Sequence, residues 1–176
     1  MKNIPVDQKA MLPIVKSSRM FRYLTEPEIT VMLGACAELV YEKDERIITE
    51  RETSDCLYLI VSGSVRVTVD ENGRDVYICT LGAGDVFGEA ALFINLKRTA
   101  NVAATDTGMT VLRINRADFM RFIREHPAAG IKVLFMIIYS LLAKLREANL
   151  ELAFERKDDM AQGDIDDLLK DYLDTK

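Results

Sequence analysis

The chain has 176 residues, 49% of them apolar, and a formal net charge of −5. That length carries one domain with a real core. The acidic balance argues against nucleic acid as the main partner, because neutralising phosphates needs clustered Lys and Arg.

Residues 1–20 carry Pro5 and Pro13 and read as a loose arm with one short helix. No basic segment followed by an apolar run opens the chain, so no secretory leader is expected. Thr25-Glu26-Pro27-Glu28 is a helix start, with Thr as N-cap, Pro in the first turn and Glu three residues on. That helix is expected to run to about Cys36. From Glu38 to Ile114 the apolar rhythm changes to period two. Strands are predicted at Leu39–Glu42, Arg46–Thr49, Leu57–Val61, Ser64–Val69, Val76–Leu81, Ala100–Ala104 and Thr110–Ile114. Asn72-Gly73 between two of them is a tight hairpin signal. Many short strands at even spacing predict a mainly β domain, a sandwich or jelly roll, with helical flanks.

The last third reads as helical. Asn115 is expected to cap a helix reaching Glu125 or His126, with Phe119, Phe122 and Ile123 as its apolar face. Pro127 opens a long helix to about residue 158. Along it Leu134, Ile138, Leu141, Leu145, Ala148 and Leu152 are spaced 4, 3, 4, 3, 4, a heptad seam suited to self-association. Its most apolar run, Val133–Ala143, is too short to cross a bilayer, which takes about 20 residues. Gly163 is predicted to break the helix. A short amphipathic piece follows, within an acidic tail whose residues 155–176 hold eight Asp/Glu and four Lys/Arg. The segmentation expected is thus an arm (1–20), a domain with flanking helices (21–126), a long helix (127–158) and the tail (159–176).

Between the strands lies the most informative stretch, Gly84-Asp85-Val86-Phe87-Gly88-Glu89, followed by Arg98-Thr99-Ala100. Gly88 lets backbone approach a ligand closely. Glu89 to Phe93 is short and helix-permissive, and its first N–H groups could face an anion. Glu89 is an acceptor suited to a sugar hydroxyl, and Arg98 offers a planar cationic fork suited to phosphate. Thr99 adds a hydroxyl.

These residues, at this separation and between strands, resemble the phosphate-binding cassette of the cyclic nucleotide-binding domain family. That family includes the catabolite activator protein, the regulatory subunits of protein kinase A and the cyclic-nucleotide-gated channels. Arg98-Thr99-Ala100-Asn101-Val102 is most similar to the channel version, and the resemblance covers roughly residues 20–155. It implies a β-jelly-roll (a double-stranded β-helix) followed by a long C-terminal helix, in a cytoplasmic, non-enzymatic receptor. The ligand is expected to be cyclic AMP, with cyclic GMP second, and no cofactor or metal. It implies contacts from Phe87, Gly88, Glu89, Ala90, Ala91, Arg98, Thr99 and Ala100, with Glu89 on the ribose 2′-hydroxyl and Arg98 on the phosphate.

Many relatives carry Arg-Glu-Thr-Asn on the long helix, the Thr meeting the base. The matching run here is Arg146-Glu147-Ala148-Asn149, so Asn149 becomes the candidate base contact, because Ala148 cannot hydrogen-bond. Lys97 stands where relatives often have Pro, and Asp44 and Arg51 stand where they usually have Gly. The resemblance further implies a homodimer through residues 130–155 and a partner protein of unknown identity. The acidic tail is too short for a helix-turn-helix, so no direct DNA binding is expected, and the short apolar run leads to no expected membrane span. The rival is an interaction module that keeps the fold and binds no nucleotide.

Cys36, Cys56 and Cys79, spaced 20 and 23 apart, fit neither a metal nor a disulfide pattern and read as buried thiols. His126 is the sole histidine, and no nucleophile–base pair is visible. Asp70 to Asp75 is faintly like a calcium loop, but a hairpin turn explains it better.

Overall fold

The computed structural model describes residues 1–18, 21–93 and 97–174, with side chains described up to residue 150 and at 152 and 153. The chain divides into two compact units, Met1–Ile137 and Ile138–Lys176.

The described residues of the first unit form nine strands: β1 (Lys2–Ile4), β2 (Ala37–Tyr41), β3 (Arg46–Ile48), β4 (Cys56–Ser62), β5 (Val65–Glu71), β6 (Arg74–Leu81), β7 (Val86–Phe87), β8 (Asn101–Ala104) and β9 (Met109–Asn115). Four helices accompany them: α1 (Gln8–Ser17), α2 (Glu26–Gly34), α3 (Ala90–Phe93) and α4 (Arg116–Glu125). The strands form two antiparallel sheets, β1-β2-β9-β4-β7 and β3-β8-β5-β6.

All seven expected strands form, and β9 shows most plainly how a strand alternates between two environments, whereas β6 is exposed along most of its length. On β9, Met109 and Val111 enter the core between the sheets with Leu39, Tyr58, Val65 and Val102. Leu112 and Ile114 enter a second core against the helices, with Val15, Ile29, Leu33, Phe119 and Phe122. β4 is buried on both faces from Leu57 to Val61, which is why it reads as a continuous apolar run. Asn72 and Gly73 both have positive φ, 55° and 81°, as the tight hairpin between β5 and β6 requires.

β1 and β7 were not expected from the pattern, since segments of three and two residues carry no period. α1 is the one short helix expected in the arm, but it is packed on the domain rather than loose. Asp7 caps it, accepting from the N–H groups of Lys9 and Ala10. Met11 and Val15 bury against the first unit's helical core, and that burial offsets Pro13 inside the helix. α2 starts as expected, with a capping box between Thr25 and Glu28.

The long helix α5 spans Pro127–Asp174 and runs through Gly163 without a break. One Gly costs a helix only about 1 kcal/mol relative to Ala and does not end it unaided. The faces of the expected amphipathic piece lie outside the described side chains. By length and composition Pro127–Leu150 could cross a membrane, a wider window than the Val133–Ala143 run suggested. Within it Ala129, Val133 and Ile137 are buried in the first unit's helical core, while most of the window is not buried.

Candidate ligand-binding site

The chain reaches the site through a turn that β4 fixes. The Gly84 N–H donates to Ile60 O at 2.8 Å and the Ile60 N–H to Asp85 O at 3.0 Å. The Asp85 carboxylate accepts from the Gly82 N–H at 3.0 Å. β7 then pairs with β4, placing Phe87 opposite Tyr58. The two rings stack, with centroids 4.9 Å apart and planes 8° from parallel. Phe87 is therefore buried beneath the site, and the backbone turns at Gly88.

Gly88 has φ +79°, and a Cβ there would lie 2.8 Å from both Arg98 Nη1 and Cys56 O. The position thus demands glycine for two reasons, conformation and space. α3 follows at once. Glu89 is buried immediately before it, Ala91 and Leu92 are buried within it, and Ala90 is exposed.

Arg98 comes from the segment leading into β8. Its main chain is held by the loop after β3: its N–H donates to Glu52 O at 2.9 Å and its carbonyl accepts from the Arg51 N–H at 2.8 Å. The side chain, only 8% exposed, spreads over three acceptors. Nε donates to Ser54 Oγ at 2.7 Å, Nη1 to Gly88 O at 3.1 Å and Nη2 to Cys56 O at 2.7 Å. Burial pulls the guanidinium below its ordinary pKa, opposed by Tyr58, Cys56, Asp55 and Glu89. An arginine remains charged through such a shift. The result is a buried cation bonded to the glycine turn and close enough to Glu89 to feel its charge. Thr99 is exposed and Ala100 half-buried beside it.

The structure thus brings together Phe87, Gly88, Glu89 and Arg98, with Ala91 buried behind them. Asn149 is exposed on α5 in the second unit.

Several contributors carry no motif. Ser54 and the Cys56 carbonyl orient Arg98. Arg113 on β9 lies opposite Tyr58, so Arg113, Tyr58 and Phe87 form a row across β9, β4 and β7. Burial pushes the Tyr58 phenol up, and Arg98 and Arg113 pull it back. Arg116, first residue of α4, donates from both Nε and Nη2 to Ala91 O, tying α4 to α3. An alternating apolar pattern could have flagged Arg113 as a charge at an inward position.

The loop departures also acquire a cause. Asp44 and Arg51 have φ of 63° and 67°, the left-handed region that glycine occupies without penalty. A polar groove of about 300 Å³, lined by Arg46, Glu50, Arg51 and Asp75 among others, lies at these loops. Its charges pair with one another, Arg46 with Asp75 at 3.3 Å and Arg51 with Glu50 at 3.5 Å. Cys36 and Cys56 are half-buried thiols. Burial, with a smaller push from Asp118, raises the Cys36 thiol to about 12.

The family model for the cyclic nucleotide-binding domain matches residues 38–126. The chain belongs to this family. It is 31% identical over 140 residues to the cyclic AMP receptor protein of Thermus thermophilus, covering 78% of this chain and 62% of that protein. It is 32% identical over 127 residues to a cGMP-dependent protein kinase of Plasmodium berghei, covering 72% of this chain and 14% of the kinase. A cyclic nucleotide-binding domain from Methylobacillus flagellatus superposes with a TM-score of 0.74 at 25% identity, covering 83% of this chain and 84% of that one. The chain spans less than two thirds of the length of either curated relative. The fold is therefore a cyclic nucleotide-binding jelly roll with helical flanks and a long C-terminal helix, and the family is a regulatory binding domain rather than a catalytic one.

Proposed function

We propose that this chain is a cyclic-nucleotide sensor, with cyclic AMP as the first ligand and cyclic GMP as the second. One observation carries the reading: a buried Arg98 guanidinium bonded to Gly88 O beside a buried Glu89, on a turn that only glycine fits. Three of the five guanidinium N–H donors are engaged with Ser54, Gly88 and Cys56, which aims the fork. Phosphate takes the other donors, and Glu89 accepts from a ribose hydroxyl. Phe87, Ala90, Ala91, Thr99 and Ala100 complete the cassette.

The relay runs within the first unit. Ligand settles Glu89 and α3, and Arg116 transmits any shift of Ala91 to α4. The ligand moves this equilibrium only by its differential affinity for the two arrangements. The output is a changed display of α5, through which the chain self-associates over residues 130–155.

Calorimetric titration with cyclic AMP and cyclic GMP tests the reading. Micromolar binding, about −8 kcal/mol, should fall at least tenfold in Arg98→Gln, since a hydrogen bond to a charged group contributes about 1.5–3 kcal/mol. No heat and no thermal shift at millimolar ligand would leave the interaction module as the reading.

A further inference from the structure

Arg113 stands at an inward position of β9, two residues beyond Val111, and the layer between the sheets opens towards it. Met109 and Val111 are 1% and 0% exposed, whereas Arg113 and Asn115 are half-buried. β4 repeats this gradient: Ile60 and Tyr58 are buried and Cys56 is half-buried. Arg98 enters at the same end, where its Nη2 donates to Cys56 O at 2.7 Å. Arg113 lies opposite Tyr58 on one side and Ala37 on the other. Side chains directly opposite on antiparallel strands have Cβ atoms about 4.5–5.5 Å apart, so Arg113 runs beside the Tyr58 ring. Arg113 and Arg98 thus approach one stretch of β4 from two sides. Their fields overlap there: burial pushes the Cys56 thiol and the Tyr58 phenol up, and both arginines pull each of them back.

Arg98 is held by three protein acceptors. Among the described residues none accepts a hydrogen bond from Arg113 or forms an ion pair with it. The nearby carboxylates are directed elsewhere. Asp118 accepts from Asn115 and Arg121. Glu38 pairs with Leu112, a residue of the helical core, and so lies on the other face of the sheet. A guanidinium does not shed its charge, and a charge taken partly out of water is costly without a counter-charge. A cyclic phosphate carries one negative charge over two exocyclic oxygens. Arg98 keeps only two N–H donors beyond those given to Ser54, Gly88 and Cys56, so a second fork has an oxygen to take. The carbonyl of a base is neutral and would leave the charge of Arg113 uncompensated.

We infer that Arg113 is a second phosphate-binding residue of this site, sharing the ligand's cyclic phosphate with Arg98. The inference rests on the sensor reading above and adds to it a contact that carries no motif.

Calorimetry on the full chain with cyclic AMP and cyclic GMP tests it, alongside thermal melts of ligand-free protein. Arg113→Met keeps an apolar stem and removes the charge. It should weaken both nucleotides about tenfold and to the same extent, because both carry the same phosphate. Its ligand-free Tm should equal or exceed that of wild type, since no described bond is lost and an unpaired charge is removed. Arg113→Lys, which keeps the charge without the fork, should recover part of the lost affinity. If Arg113→Met binds both nucleotides like wild type while Arg98→Gln does not, the inference is overturned and the sensor reading stands. Loss of cyclic GMP alone would make Arg113 a base contact and overturns it too. So does a lowered ligand-free Tm with lost binding that Arg113→Lys leaves unrecovered, which would make the residue structural. A wild type that binds neither nucleotide overturns both the inference and the sensor reading.

Discussion

Gly88→Ala separates backbone strain from crowding at the cassette. With φ at +79°, an L-residue there costs about 1–2 kcal/mol. The added Cβ also meets Cys56 O and Arg98 Nη1, both at 2.8 Å. Cys56 belongs to β4 and is paired with Asn115, so its carbonyl has little room to yield. Arg98 must give way and lose its bond to Gly88 O, a charge-assisted contact contributing about 1.5–3 kcal/mol. The total is about 2.5–5 kcal/mol, or roughly 5–20 °C of Tm at 2–4 °C per kcal/mol for a chain of this size. Gly108→Ala is the control, because its φ is +76° with no described atom within 4 Å of the new Cβ. It should show the strain alone. Thermal melts of both variants, with calorimetry for cyclic AMP, read the difference directly. If Gly88→Ala melts with Gly108→Ala and binds like wild type, the close approach of Gly88 to Arg98 has no role in stability or binding.

Arg116→Ala removes both donors to Ala91 O. It should destabilise by about 1.5–3 kcal/mol and speed amide exchange across α3, whereas wild-type exchange there would break the proposed link to α4. Arg51→Gly should raise Tm by roughly 2–4 °C, since relieving a left-handed arginine is worth about 1 kcal/mol and the side chain is 73% exposed; a lowered Tm would show that its contact with Glu50 matters more. Lys132 Nζ donates to both Glu28 oxygens, at 2.8 and 2.9 Å, and this bond, with the Thr25 N–H, holds the Glu28 carboxyl below its ordinary range. A lowered folded pKa gives stability that is fully present above the unfolded value, about 4.3, and is lost as pH falls through the folded one. Wild type should therefore exceed Lys132→Ala by about 0.5 kcal/mol at neutral pH, as a partly exposed pair does, and the gap should close on acidification. A gap unchanged at pH 2 would assign it to packing.

What could be read from the sequence depended on how local the cause was. The capping box at Thr25 and Glu28, the Asn72-Gly73 hairpin and the alternation along β9 are set by residues within a few positions, and each formed where expected. β7 is two residues long and exists because β4 lies beside it, so no pattern in its own sequence announces it. The cassette divides the same way. Gly88, Glu89 and Arg98 were legible as residue types at a spacing, but Arg98 is aimed by Ser54 and by the Cys56 carbonyl, 44 and 42 positions away. One acceptor is an ordinary serine and the other a main-chain oxygen that every residue possesses. The C-terminal helix shows the opposite ambiguity. Two heptad registers share Ile138, Leu145 and Leu152, and both satisfy the spacing rule. Leu134, which opens one of them, is half-buried against the first unit's helical core, a claim on the side chain that its spacing along the helix could not reveal.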